Sequence, residues 1–341
     1  MGCSVTPAIL TVTLNAAVDT TLMVGTLRVG ESETVRDVLK LPGGKGNNVA
    51  RTLHRLGIPV IASGLVGGPA ASSITDGLAR EGIPPHFMHI TTYTRACTAI
   101  VELDHGRVTE VNEPGAPVAP EVAEQFQEHL GGLLHGDEDE VALLVLSGSL
   151  PPGLPDDYYA RLVRQAREAG VPAVVDSKGK ALETALAEAP LVVKPNKVEA
   201  ETLLGHRIDD VDDALRAAWA LRRRGPHVVT LTLGAQGAVL VTEKGVWLAQ
   251  APRQDAVDTV GSGDAFVGGL IGGLWDAVSS GAVASLSAAT MDAAVLARAL
   301  ARAAACGAAN ALTLGAGMIE ARDVARIERL VVVESLGMEP A

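Results

Sequence analysis

Asp258-Thr-Val-Gly-Ser-Gly-Asp264, continued by Ala265-Phe-Val-Gly-Gly269, stands after a strand-like segment and before an apolar helical pattern. Two glycines and a serine let the backbone turn sharply and aim several N–H groups at one point. A cradle of this kind at the start of a helix stabilises anionic oxygen. Asp264, directly behind it, is a carboxylate placed to take up a proton. A pocket for developing phosphate charge beside a base suits phosphoryl transfer to a hydroxyl. The stretch is not a Walker A loop, because no GxxxxGK[ST] occurs in the chain. It is not a dinucleotide fingerprint either: Phe266 stands where the third glycine would be.

Working outward from this turn, helix and strand alternate from about residue 119 onward. Helix 119–134 precedes strand Val141 to Leu146, and helix 156–169 precedes strand Pro172 to Val175. A short helix at 180–187 precedes Leu191 to Val193, and helix 211–224 precedes Val228 to Leu233. Ala-rich helices fill 264–275 and 284–309. Upstream, Ile9 to Leu14 reads as a first central strand. Lys45 to Leu56 and Ser72 to Arg80 read as helices around strand Ile58 to Ser63. This order predicts an α/β protein with a mostly parallel sheet covered on both faces. Residues 20–40 and 86–113 break the rhythm with apolar–polar alternation, and are expected to form a small second sheet serving as a lid. The whole of 1–341 is expected to be one domain with that lid inserted in it.

Composition narrows the class. Of 341 residues 48% are apolar but only 3% aromatic, so Ala, Val and Leu must build the core. The net charge of −12 argues against nucleic acid or an anionic membrane as the main partner. Cys3, Cys97 and Cys306 are scattered and show neither a disulfide framework nor zinc spacing. No window is apolar and long enough for a membrane span, and a cytoplasmic location is expected. Gly136-Asp-Glu-Asp-Glu140 reads as a solvated acidic turn.

Further stretches carry polar groups where a ligand would sit. Pro42-Gly-Gly-Lys-Gly-Asn-Asn48 permits close approach to the backbone, with Lys45 as a point charge and Asn48 as donor and acceptor; it also reads as a plain helix entry. Asp19 follows the first strand in Leu14-Asn-Ala-Ala-Val-Asp19, as a sugar-binding carboxylate or a turn former. In Lys194-Pro-Asn-Lys-Val-Glu199, Asn196 and Glu199 share one helix face. They suit either a water-shelled Mg²⁺ or helix capping. Ser147-Gly-Ser-Leu-Pro-Pro-Gly153 follows a buried strand but does not match a GxSxG elbow. Arg95 could hold a phosphate bidentately from the lid.

Taken together and in order, these motifs resemble the PfkB/ribokinase-like carbohydrate kinases, from Asn15 to about Asn310. Asp258–Asp264 is similar to that family's C-terminal DTxGAGD signature, with Ser262 for Ala. Gly43–Arg51 is similar to its GGKGxNVAR signature. Thr109–Gly115, Leu146–Gly153 and Lys194–Asn196 look like the phosphosugar branch: 1-phosphofructokinase, tagatose-6-phosphate kinase and the minor 6-phosphofructokinase. The resemblance implies Asp264 as catalytic base, with Gly261, Ser262 and Gly263 as the anion hole. It implies Lys194, Asn196, Thr232, Gly234, Gly237, Thr259 and Asn310 on the ATP side. Asp19, Gly43, Gly44, Asn48 and Ser147 would lie on the sugar side, with Lys45 and Arg95 holding the sugar's existing phosphate. Asn196 and Glu199 would organise Mg²⁺ through water, and paired lids would make a homodimer. Ala16, Asn47 and Cys97 depart from the family's Pro, apolar residue and Asn.

The implied reaction is ATP-dependent phosphorylation of a ketohexose monophosphate. Lys45 points to fructose 1-phosphate first, with tagatose 6-phosphate and fructose 6-phosphate as alternatives. A nicotinamide-dependent dehydrogenase is disfavoured by the missing glycine fingerprint. A non-catalytic sugar-phosphate sensor is disfavoured by the intact anion loop and Asp264.

Overall fold

The computed structural model describes residues 7–136, 140–287 and 293–337. Cys3, positions 137–139 of the acidic turn and positions 288–292 of the expected last helix lie outside the described residues. The chain begins β1 (Ala8–Thr13), β2 (Ala17–Val24), β3 (Asp37–Gly43), α1 (Lys45–Arg55), β4 (Val60–Gly67), α2 (Ala71–Arg80) and β5 (Pro85–Ile90). It continues with β6 (Arg95–Glu102), β7 (Arg107–Asn112), α3 (Glu121–Leu134), β8 (Val141–Ser147), α4 (Tyr158–Glu168), β9 (Ala173–Asp176) and α5 (Gly179–Leu186). Then come β10 (Val192–Val193), α6 (Lys197–Leu204), α7 (Val211–Arg222), β11 (Val228–Thr232), β12 (Ala238–Thr242) and β13 (Gly245–Gln250). The last elements are α8 (Ser262–Ser279), α9 (Ala293–Asn310), α10 (Ala321–Glu328) and β14 (Val332–Gly337).

The large sheet has ten strands in the order β14-β13-β12-β11-β10-β9-β8-β1-β4-β5. From β5 to β11 neighbours run parallel; β12, β13 and β14 close the far edge antiparallel. Helices cover both faces, so the central strands carry no alternation. Every residue of β1, β4 and β9 is buried. One buried cluster joins Leu10, Leu144 and Val175 to α3, α4, α5 and α7. A second joins Ile9, Val145 and Val174 to α1, α8 and α9, and a small third joins α8 and α9 to α10. The strand order reverses at β1, which lies between β4 and β8. In such sheets ligands bind beyond the carboxyl ends of the strands at the reversal. No described helix is long and apolar enough to cross a membrane.

The second sheet has the order β3-β2-β6-β7. The expectation for 86–113 needs correction: β5 is the edge strand of the large sheet, parallel to β4, and only β6 and β7 join the lid. Alternation reports a strand half covered; it does not say by which sheet. The expected helix at 284–309 begins at Ala293 among the described residues, and 284–287 are not helical. Strands β12, β13 and β14, and helix α10, lie outside the elements expected from the sequence.

Candidate active site

The carboxyl ends of β1, β8, β9, β10 and β11, the N-terminal turn of α8 and the inner face of the lid enclose one cleft of about 1490 Å³. Turn 258–264 and the 43–48 entry into α1, far apart in sequence, meet at its floor. Asn48 Nδ2 donates to Asp264 Oδ2 at 2.8 Å.

Gly261 caps α8 in the left-handed region, at φ 80°. A Cβ there would collide with Ala316, so only glycine permits this turn. Ser262, Gly263 and Asp264 are the first three helical residues, where backbone N–H groups have no intrahelical acceptor. The Ser262 amide closes the turn on the Thr259 carbonyl at 3.2 Å. Asp264 is 5% exposed, and burial pushes its carboxyl up to about 7. Lys45, the Asn48 donor and Lys194 pull it down, while Asp176 pushes it further up.

Asp176, at the end of β9, is fully buried. Its Oδ1 lies 3.1 Å from Lys194 Nζ and its Oδ2 lies 3.5 Å from Lys45 Nζ. Ser147 Oγ, at the end of β8, donates to Oδ2 at 3.3 Å. Burial alone would raise this carboxyl; Lys194 and Lys45 overrule it and hold the pKa below the ordinary value. Lys45 also lies 3.8 Å from Glu199. Burial would depress the Lys45 ammonium, but Asp176, Asp264 and Glu199 hold it firmly charged. Two cations thus stand beside the anion turn, kept there by one carboxylate. Asp176 was not among the sequence candidates, although a carboxylate ending a buried strand was the signal that found Asp19.

Asn196 and Glu199 form a complete capping box on α6. Asn196 Oδ1 accepts from the Glu199 amide and Glu199 Oε2 from the Asn196 amide, both at 2.9 Å. Glu199 Oε1 is left facing Lys45. Among the described residues no group of three or more His, Cys, Asp or Glu side chains is arranged to hold a metal. The donors present suit a water-shelled Mg²⁺ carried by phosphate oxygens, with carboxylates at its edge, rather than an all-protein cage. Thr232, Gly234, Gly237 and Thr259 line the same cleft with Lys178, Lys197 and Arg253. This cation-rich stretch is chemically suited to a nucleotide.

Asn310 does not line the cleft. It is fully buried, donating to the Val260 carbonyl at 2.7 Å and accepting from the Gly317 amide at 2.8 Å. It braces the turn rather than facing a ligand. Gly43 also stands behind the wall: a side chain there would strike the Asp19 carboxyl.

On the lid, Asp19, Leu41, Arg95, Cys97, Glu110 and Asn112 face the cleft with Gly44 and Asn48 below them. Burial pushes Asp19 up to about 6 against the pull of Arg51 and Arg95. Arg95 donates to the carbonyls of Asn15 at 3.2 Å and Glu113 at 2.7 Å. Cys97 pairs across the sheet with Asp19 and Asn112. Burial pushes its thiol up to about 11, so it stands in the cleft as a neutral group. Asn47 turns inward, donating to the Gly43 carbonyl at 2.8 Å and accepting from Thr13 at 3.2 Å. Ala16 packs in the core beside Gly44.

Comparison with known proteins agrees with this geometry. A family model for pfkB family carbohydrate kinases matches residues 12–322. Escherichia coli phosphofructokinase-2 in complex with potassium is 27% identical with a TM-score of 0.83, covering 95% of this chain and 99% of that one. The same enzyme in complex with fructose-6-phosphate gives 26% and 0.80 over 95% and 99% of the two chains. A Thermotoga maritima protein described as a possible 1-phosphofructokinase is 26% identical with a TM-score of 0.80, over 96% and 99% of the chains.

Proposed function

The chain belongs to the pfkB family of carbohydrate kinases and is therefore a phosphotransferase acting on a sugar hydroxyl; from that premise we propose that it uses ATP to phosphorylate a ketohexose monophosphate, fructose 1-phosphate first among them. One observation carries the reading: Asp264 is buried beside the anion turn and bonded to Asn48, with Lys45 and Lys194 close enough to act on its charge. A carboxylate pushed up to about 7 holds a proton weakly enough to release and strongly enough to accept at neutral pH.

In this reading Asp264 takes the proton of the attacking hydroxyl. The amides of Gly261, Ser262 and Gly263 and the ammonium groups of Lys45 and Lys194 meet the charge of the transferring phosphoryl, with the Ser262 amide shared with Thr259. Mg²⁺, when bound with ATP, neutralises phosphate charge, and Glu199 with Asn196 stands at its water shell. Thr232, Gly234, Gly237 and Thr259 hold the nucleotide, while Asn310 keeps the turn in place. Asp19, Gly44, Asn48 and Ser147 bind or frame the sugar, with Gly43 making room for Asp19. Arg95 orients the existing phosphate; Lys45, expected beside it, is instead held near the anion turn by Asp176 and Glu199. Closure of the lid excludes water from the reacting centre.

The whole chain works in this reading as one kinase domain. Its lid has an apolar outer side: Leu22, Val38, Ile100 and Val111 alternate away from Asp19, Cys97 and Glu110. Val38 and Val111 are 42% and 62% exposed. A second copy covering this face would make the homodimer.

Lys45 favours fructose 1-phosphate through its sequence context alone, because Gly43-Gly-Lys-Gly46 resembles the 1-phosphofructokinase and tagatose-phosphate branch. Tagatose 6-phosphate and fructose 6-phosphate are the alternatives. The test is kcat/KM for a panel of phosphorylated ketohexoses in a coupled ADP-release assay. Fructose 1-phosphate is expected to lead by about tenfold or more, equivalent to roughly 1.4 kcal/mol of transition-state binding. A larger value for either 6-phosphate reassigns the substrate. ADP release with none of them rejects the sugar-phosphate reading.

A further inference from the structure

Arg51 is among the largest fully buried side chains, only 1% exposed, and lies behind the cleft wall rather than in it. A buried guanidinium is costly unless every N–H finds an acceptor. Here each does. Nε and Nη2 grip the Glu81 carboxylate at 2.6 and 3.1 Å. Nη2 also donates to the Pro42 carbonyl, and Nη1 to the Ala316 carbonyl, both at 2.8 Å. The last bond runs from Nη1 to Asn48 Oδ1 at 3.2 Å.

That last contact has a chemical consequence. An amide side chain can be turned over without changing its shape, but a guanidinium has donors only. Arg51 can face Asn48 only if Oδ1 points toward it. The Asn48 NH₂ group must then point the other way, to Asp264 Oδ2 at 2.8 Å. The same guanidinium holds Ala316 against Gly261 of the anion turn, and ties Pro42 at the root of the lid strand β3.

We propose that Arg51 is a positioning residue for phosphoryl transfer: a Glu81–Arg51–Asn48–Asp264 relay sets the Asn48 amide, occupies one oxygen of the base and leaves the other for the substrate hydroxyl. This rests on the reading of Asp264 as the base. A donor on Oδ2 favours the ionised carboxylate, as do Lys45 and Lys194, whereas Asp176 opposes it. Loss of the relay leaves Asn48 free to turn and removes that help.

Two substitutions test it. Arg51→Lys retains the charge, but one ammonium cannot serve Glu81, Pro42, Ala316 and Asn48 together. Glu81→Gln, at a partly exposed carboxylate, weakens the grip on Arg51 with less risk to folding. In both, kcat is expected to fall about tenfold, and the acidic limb of the kcat–pH profile to move up by about half to one pH unit. In an Asn48→Ala background the same substitutions are expected to move the limb no further, because the relay is already cut.

An unmoved limb in Glu81→Gln, and in Arg51→Lys where it folds, with only thermal stability lowered, overturns the proposal. So does a shift persisting in full in the Asn48→Ala background, which would route the effect through Asp19, whose carboxyl also feels Arg51. Carbon-detected NMR titration of the Asp264 carboxyl reads the same change without turnover. A wild-type chain with no kinase activity rejects Asp264 as the base; normal activity with an unmoved titration rejects the relay alone.

Discussion

The two walls of the cleft are built differently. On the strand-end wall, Ser147, Asp176 and Lys194 are at most 2% exposed and cross-linked by ion pairs and hydrogen bonds. On the lid wall, Asp19, Arg95 and Cys97 are only partly buried, Glu110 is exposed, and Arg95 spends its donors on backbone carbonyls. Charge-stabilising groups help most when already oriented before the reaction, in a site poor in water. The strand-end wall meets that condition as it stands. The lid wall, a four-stranded sheet with solvent behind it, is the part a ligand would complete.

Substitutions that break one wall and spare the other measure this difference. The largest effect is expected for Asp264→Asn: a turnover loss of about 10³-fold or more with ATP affinity little changed, read by steady-state kinetics and nucleotide titration. Retention of more than about a tenth of wild-type turnover removes Asp264 from the role of base. Next comes Asp176→Asn, which leaves Lys45 and Lys194 without their shared carboxylate. We expect kcat to fall about 10²-fold at saturating substrates; a fall under about threefold would show that the ion pairs serve folding alone. Arg95→Met, on the lid wall, is expected to raise the sugar-phosphate KM about tenfold while leaving kcat within about threefold. An equal loss in kcat would erase the distinction between the walls.

The smallest effect is on stability. Asp264 has a folded-state pKa near 7 against 3.8 for the free group, so the folded chain holds this proton more tightly than the unfolded one. Its contribution is therefore fully favourable below about pH 4 and is lost as pH rises through about 7. Asp264→Asn should match wild type in Tm near pH 4 and exceed it by about 4–8 °C at pH 8. A gap that does not widen with pH would contradict the burial-driven shift.

Much of this was legible because it lies in short stretches where residue type and spacing dictate the backbone. The turn at 258–264 needs Gly261, and the end of β8 delivers Ser147 to the crevice, whereas Asp19, read as ending the first strand, reaches it from within lid strand β2. What escaped is what depends on distant partners. Asp176 ends a strand that reads as closing at Val175, and its meaning comes from Lys45 and Lys194, far away in sequence. Strand β5 reads like a lid strand because it is the edge of the large sheet: α2 and α3 both pack on it, yet His89 stays exposed. The β12–β13 pair is buried except at its last residue, Gln250, so it shows no period to read. Asn196 and Glu199 show the reverse: the spacing fits a cap and a metal shell equally, and the hydrogen bonds display the cap.

The cations of the cleft sit in a molecule carrying twelve excess negative charges. At long range such a particle repels a polyanionic nucleotide, and only within about a Debye length, roughly 8 Å at physiological salt, do Lys45, Lys194 and Arg95 prevail. Encounter is then a barrier followed by a trap. Dilute electrolyte, which usually speeds the capture of charged ligands, here slows arrival, and moderate ionic strength lowers the barrier before it weakens the trap.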